Sequence, residues 1–187
     1  AELLAELDKL KQCGVGKLDC NLPDTDPRSA ELELGQRFAK TLDRLTLLSQ
    51  AGIGDKQKFD QIAREYVSHP DGHVQEAALE LMATLEPNPQ QVTALIQGLS
   101  NTHDAQIYRM ALMEFSRHQE PAQQAAIDSF LQETLKTGGH FASQEIAKQI
   151  LPHLNQNNIE QYRTLANELP PNSRKAQDLR ANIEEYD

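Results

Sequence analysis

Apolar residues recur every three or four positions along most of this chain, and the pattern is cut repeatedly by proline, glycine and aspartate. That spacing predicts amphipathic helices separated by short turns. The clearest stretch runs from Asp71 to Phe115, where one helical face is written twice. Asp71, Val74, Ala78 and Met82 are matched by Asp104, Ile107, Ala111 and Phe115, 33 positions later. In each copy an Asp fit to cap a helix is followed by a β-branched residue at three, a small Ala four further on and a large apolar residue four beyond that. A period of this length marks stacked helical units, none of which can bury its apolar stripe without a neighbour.

The remaining chain extends the pattern in both directions. Residues 1 to 12 predict a first helix, with Leu3, Leu4 and Leu10 joined by Ala1 and Ala5 on a short apolar side and a stop near Gly14. A loop rich in glycine, proline and aspartate follows to Pro27. There Asp26 as cap and Pro27 at the first helical position open a long helix that runs to Ala51. Gly35, in its first half, is either a mild weakness or a place where another helix comes close. After the Gly52 to Asp55 break, Phe59, Ile62, Ala63, Tyr66 and Val67 predict a helix that Pro70 ends. Val74, Ala77, Ala78, Leu81, Met82 and Leu85 line the first copy. Val92, Leu95, Ile96 and Leu99 make the helix that follows it.

Ile107, Met110, Ala111, Met113 or Glu114, and Phe115 repeat the face. Ala126, Ile127, Phe130, Leu131 and Leu135 then answer Leu95 and Leu99. A degraded third unit has Ile146, Ala147, Ile150, Leu151 and Leu154, with a kink expected at Pro152. Ile159, Tyr162, Leu165, Ala166 and Leu169 follow it. The last polar helix, from Ser173 to Tyr186, keeps a narrow apolar side of Ala176, Leu179 and Ile183, as a terminal cap would.

Between Asp71 and Phe115 the chain resembles the HEAT-like family of helical solenoids, on Asp71 and Asp104, Val74 and Ile107, Ala78 and Ala111, and the Val92, Leu95, Ile96, Leu99 helix between them. The family's basic residue after the β-branched position is absent, since Gln75 and Tyr108 stand there. The resemblance implies an all-α fold, a right-handed stack of antiparallel helical hairpins with an N-terminal helical extension. Residues 1–27 would form the first helix and cysteine loop. Residues 28–187 would form the repeat domain, with repeats at 59–99, 104–136 and 140–169 and a cap at 172–187. It also implies an interaction scaffold.

Composition narrows the partner. The chain has 187 residues, a net charge of −10, 5% aromatic residues and no Trp. Leu and Ala dominate its apolar set, which suits thin helix-to-helix seams. A nucleic-acid backbone is a poor partner for such an acidic chain, because binding there relies on Lys and Arg. A basic or neutral polar partner fits better. No apolar run is long enough to span a bilayer. The chain opens on Ala, giving the expectation of a mature form or fragment, with an anchor or leader removed upstream of Ala1.

Cys13 and Cys20 flank two glycines and sit close enough to close a small ring, the pairing we expect. Two free thiols or half of a metal site remain as alternatives. A bridge would place the chain in an oxidising compartment. The expected location is therefore extracytoplasmic, periplasmic or membrane-anchored and facing the periplasm.

No phosphate loop, nucleophile elbow or carboxylate pair appears, and no cofactor is expected. The Met82, Met110 and Met113 face is expected to fill the core. The helices after each copy carry a row of uncharged polar residues: Gln90, Gln91, Thr93 and Gln97; then Gln123, Gln124, Asp128 and Gln132; then Asn157, Asn158, Gln161 and Arg163. In a stack these would lie along one surface. We therefore expect a non-enzymatic protein–protein interaction module that binds a peptide or protein through Gln90, Gln91, Gln97, Gln123, Gln124, Asp128, Gln132, Asn158 and Gln161. The alternative is a metal-binding protein or enzyme built on the His69, His73 and His103 turns. His118, His140 and His153 show no partner pattern. A third possibility is a structural subunit that self-associates through the helix from Pro27 to Ala51.

Overall fold

Aspartates open helices where the sequence places them. The Asp26 carboxylate accepts from Arg28 N at 2.9 Å, starting α2 (Pro27–Gln50) behind α1 (Glu2–Gly14). Asp55 accepts from Gln57 N at 3.0 Å and opens α3 (Lys56–Tyr66). Asp71 accepts from His73 N at 2.9 Å and opens α4 (Gly72–Ala83). α5 (Pro89–Leu99) begins with a reciprocal cap, Asn88 bonding Gln91 N while the Gln91 side chain accepts from Asn88 N. Asp104 accepts from Gln106 N at 2.7 Å to open α6 (Ala105–Phe115). Then come α7 (Pro121–Thr137), α8 (His140–Gln149), a 3-10 turn (Leu151–His153), α9 (Ile159–Glu168) and α10 (Arg174–Tyr186). The computed structural model describes residues 2–23 and 26–187, and among these the fold is all-α with no strand. The chain divides into two compact units, Ala1–Glu86 and Pro87–Asp187. That division falls within the expected repeat 59–99.

In the first unit α2 packs on α1 and on α4, and α3 packs on α4. Leu42, Leu45, Ala63, Val74, Ala78, Leu81 and Met82 are fully buried there. The buried side of α1 is Leu3, Leu7, Leu10 and Cys13. This corrects the expected side: Leu7, left out of it, points inward because it follows Leu3 by four and precedes Leu10 by three, whereas Ala5 is exposed and Leu4 half-buried. Ala1 lies outside the described residues. The Cys13 and Cys20 sulfurs are at disulfide distance, with Cα atoms 5.8 Å apart. Arg37 Nη1 donates to the Cys20 carbonyl at 2.9 Å, so this end of the loop is held against α2. Gly35 is buried, and the group that approaches it is the Asp71 carboxylate at the start of α4.

In the second unit the close-packed consecutive pairs are α5 with α6, α7 with α8 and α9 with α10. The hairpins thus start one helix earlier than the pairing 104–136 and 140–169. Alternate helices also pack: α5 on α7, α7 on α9, α6 on α8 and α8 on α10. The Tyr108 hydroxyl ties the first hairpin by donating to the Leu99 carbonyl at 2.8 Å. Leu95, Ile107, Leu131, Leu135, Ile146, Ala147 and Tyr162 form a continuous core. Pro152 ends α8 instead of kinking it, because proline supplies no N–H to continue the ladder and the chain tightens into the 3-10 turn. Met113 is 73% exposed, which corrects its expected place in the core. The neighbouring Glu114 is the buried one, held by Arg117 Nη1 at 2.7 Å and 3.0 Å. Ala176, Leu179 and Ile183 are the buried side of α10, which Ser173 caps by accepting from Ala176 N.

Candidate functional site

Asp128 stands in the middle of α7 and is the centre of the most developed polar constellation in the second unit. Asn158 Nδ2 donates to both of its carboxylate oxygens, at 3.0 Å and 3.1 Å, and the Tyr162 hydroxyl donates to Oδ1 at 3.0 Å. All three bonds come from neutral donors. None of the ion pairs among the described residues involves Asp128. Burial, followed by the Asp128 charge, pushes the Tyr162 hydroxyl far above its ordinary range, so it keeps the proton that it donates to Asp128.

Asn158 is itself fixed. Its Nδ2 also donates to the His153 carbonyl at 2.8 Å, and its Oδ1 accepts from Asn155 N at 2.8 Å. The loop that carries these residues follows Pro152, and Asn155 turns it by accepting from Asn157 N at 2.9 Å. Burial holds the His153 ring below the ordinary histidine value. The Asp128 charge and a ring hydrogen bond to the Leu112 carbonyl pull weakly the other way. His153 is thus a neutral side chain near neutral pH.

Two depressions flank Asp128. The larger, of about 490 Å³, runs between α7 and the start of α9; among its lining residues are Gln124, Asp128, Gln132, Asn157, Asn158 and Gln161. Gln132 Nε2 crosses it to Gln161 Oε1 at 2.9 Å. The smaller, of about 260 Å³, lies between α7, the chain leaving α6 and the 3-10 turn. Gln124, Asp128 and Asn155 line it as well as the larger one, joined by His118, Gln119 and His153.

Five of the nine residues expected at a binding surface, Gln124, Asp128, Gln132, Asn158 and Gln161, therefore meet in one groove. The others do not. Gln91 is buried and spent on the cap of α5. Gln123 is buried, its Oε1 3.1 Å from His118 Nδ1. Gln90 and Gln97 are exposed on α5, outside the groove. Asn158, 2% exposed, shapes the groove from beneath. Glutamine and asparagine read alike from sequence whether they face water or complete a buried bond, and burial separates them.

Two of the three histidines without an expected partner pattern, His118 and His153, turn out to have partners. His118 meets Gln123 and lies 3.8 Å from Glu114 Oε1. His153 packs beside Asp128 and Asn158. The only sequence signal for the latter was the run of asparagines closely following Pro152.

None of the other histidine set lines either depression. His69 and His73 belong to the first unit and His103 to the second. His69 packs against Phe38 and Tyr66, its Nδ1 accepts from Asp71 N at 3.1 Å, and burial holds its ring below the ordinary value. His73 and His103 are exposed. Among the described residues no group of three or more His, Cys, Asp or Glu side chains is placed to hold a metal ion, and no helix is long and apolar enough to cross a membrane. Comparison with known family models, with curated proteins and with solved structures finds no match to this chain.

Proposed function

We propose that this chain is a HEAT-like helical-repeat protein of an extracytoplasmic compartment, and that it binds a peptide or protein partner without catalysing a reaction. The packing of alternate helices in the second unit supports the repeat reading, since α5, α7 and α9 follow one another along one side and α6, α8 and α10 along the other. The disulfide-distance pair Cys13 and Cys20 supports an oxidising location outside the cytoplasm, with the periplasm as the favoured compartment.

The observation that carries the binding role is the convergence of Gln124, Asp128, Gln132, Asn158 and Gln161 on one groove. Amide side chains offer both donors and acceptors, so they can satisfy an extended backbone without requiring one particular side chain. A rigid carboxylate at the centre fixes the register of whatever lies there.

Panning a displayed peptide library against the full chain tests this. Enriched peptides should slow hydrogen exchange in α7 and α9 and lose at least tenfold in affinity when Gln132 and Gln161 are both replaced by Ala. No enrichment, or protection confined to other helices, would overturn the proposal.

A further inference from the structure

We infer that the smaller cavity beside Asp128 is a pocket for the guanidinium of an arginine side chain, supplied by a peptide lying in the adjoining amide groove. The inference rests on the groove reading above and adds the residue that the partner must carry.

Gln124 and Asp128 stand four apart on α7, and so on one face of it. Both line the groove and the cavity, and Asn155 does too, so a chain in the groove passes the mouth of the cavity. Gln124 gives its Nε2 to Gln119 Oε1 at 3.1 Å, and its Oε1 has no partner among the described residues. Asp128 accepts its hydrogen bonds from neutral donors only, and its carboxylate retains acceptor capacity beyond them. Two acceptors one helical turn apart, one of them charged, match the planar fork of a guanidinium better than the single point of an ammonium. Phe115, Ile127 and Leu154 supply apolar wall for the aliphatic stem.

The basic side chains nearby do not fill this role from within. Arg117 is engaged by Glu114, and burial keeps His153 below the ordinary histidine value. A volume of about 260 Å³ accommodates one long side chain and is small for a bound organic cofactor. An anionic ligand would meet Asp128 and is disfavoured.

The test titrates the full chain with N-acetyl-arginine methylamide, with the lysine analogue and with the isosteric but neutral citrulline analogue, followed by NMR of the side-chain amides. Saturable shifts at Gln124 and Asn155 are expected with arginine, at least tenfold weaker with lysine and absent with citrulline at the same concentrations. Asp128→Asn should abolish the arginine shifts. Because Asp128 also anchors Asn158 and Tyr162, Gln124→Lys provides a second variant: it leaves those bonds in place, brings an ammonium to the shared wall and should abolish them with an unchanged unfolding midpoint.

Equal response to arginine and citrulline, or arginine shifts that survive Gln124→Lys, overturns the pocket. Peptides that bind the groove without arginine preference also overturn the pocket while leaving the groove standing. Arginine shifts at Gln124 with no peptide enriched in panning keep the pocket and overturn the groove.

Discussion

Gly35 on α2 and Asp71 at the start of α4 are in direct apposition: a Cβ placed at residue 35 would stand 2.7 Å from Asp71 Cγ. The same carboxylate accepts from His73 N and Val74 N, so the group that a side chain at 35 would displace also caps α4. Ala is worth about 1 kcal/mol more than Gly in a helix interior, and a lost Asp cap costs about 1 kcal/mol. Gly35→Ala alone should therefore change stability little, because the gain in α2 is offset by a displaced cap. Coupling is the discriminating quantity. Asp71→Ala should cost about 1 kcal/mol in the native background and close to nothing once Gly35 is Ala, read from urea unfolding of the four proteins. Additive effects would contradict the contact.

Asn158 joins three segments, so its loss should be felt beyond one bond. Asn158→Ala leaves Asn155 N and the His153 carbonyl without their partner and takes Nδ2 from Asp128. A destabilisation of about 2 to 3 kcal/mol is expected from unsatisfied buried groups. Asn158→Asp keeps the acceptor for Asn155 but sets a second carboxylate against Asp128, and it should be the worse of the two at pH 7. Its deficit should shrink across the acid range, where a proton shared between two adjacent carboxylates relieves their repulsion. Denaturant midpoints across that range measure both effects.

His69 and His153 predict a common response to acid in the two units. Burial holds each below its ordinary value of 6.5, so the unfolded chain binds protons that the folded chain refuses. Stability should be full above that value, fall as pH drops through it, and level off once the lower folded values are passed. Hydrogen exchange of α4 amides should report the His69 contribution, and that of α8 the His153 contribution. His153→Gln should flatten the response in α8 while leaving that of α4 unchanged.

Reduction of the Cys13–Cys20 pair should loosen a loop and leave the core intact. The ring is short, so the chain-entropy contribution is about 2 to 3 kcal/mol. Its structural reach is the Arg37 bond to the Cys20 carbonyl. With reductant, exchange protection should fall near residues 13–22 and the unfolding transition of the first unit should move to lower denaturant. Unchanged protection in α7 and α9 would show that the groove does not depend on the bridge.

A surface test concerns Glu80, whose carboxyl burial raises first, with Asp43 and Glu76 adding to it. Glu80→Gln should remove repulsion between α2 and α4 and raise stability at pH 7 by a few tenths of a kcal/mol, roughly 0.5 at most. The gain should fade in high salt, which separates charge relief from packing.

The one-dimensional order of this protein was legible without coordinates. Caps at Asp26, Asp71 and Asp104, stops at proline and glycine, and the buried faces of α4 and α10 follow from local bonds and from a 3.6-residue period, both of which act within a few residues. At Gly35 a close approach was one of two readings, and the approaching group was not named by either. Pairing and burial of polar groups lay beyond that reach. Whether α6 packs with the helix before or after it depends on side chains far apart in sequence, and the close hairpin is formed with α5. A glutamine faces water at position 161 and is buried at 91 and 123, although the residue type is the same. Of the two residues that could continue the α6 face, Glu114 is buried and Met113 exposed, because an Arg117 guanidinium makes the buried carboxylate tolerable. Sequence alone thus determined where helices begin and end and which sides of α4 and α10 are apolar, since those depend on neighbours along the chain. Only the tertiary structure decided which amides meet around Asp128, since that requires α7, the loop after Pro152 and α9 to arrive at one place.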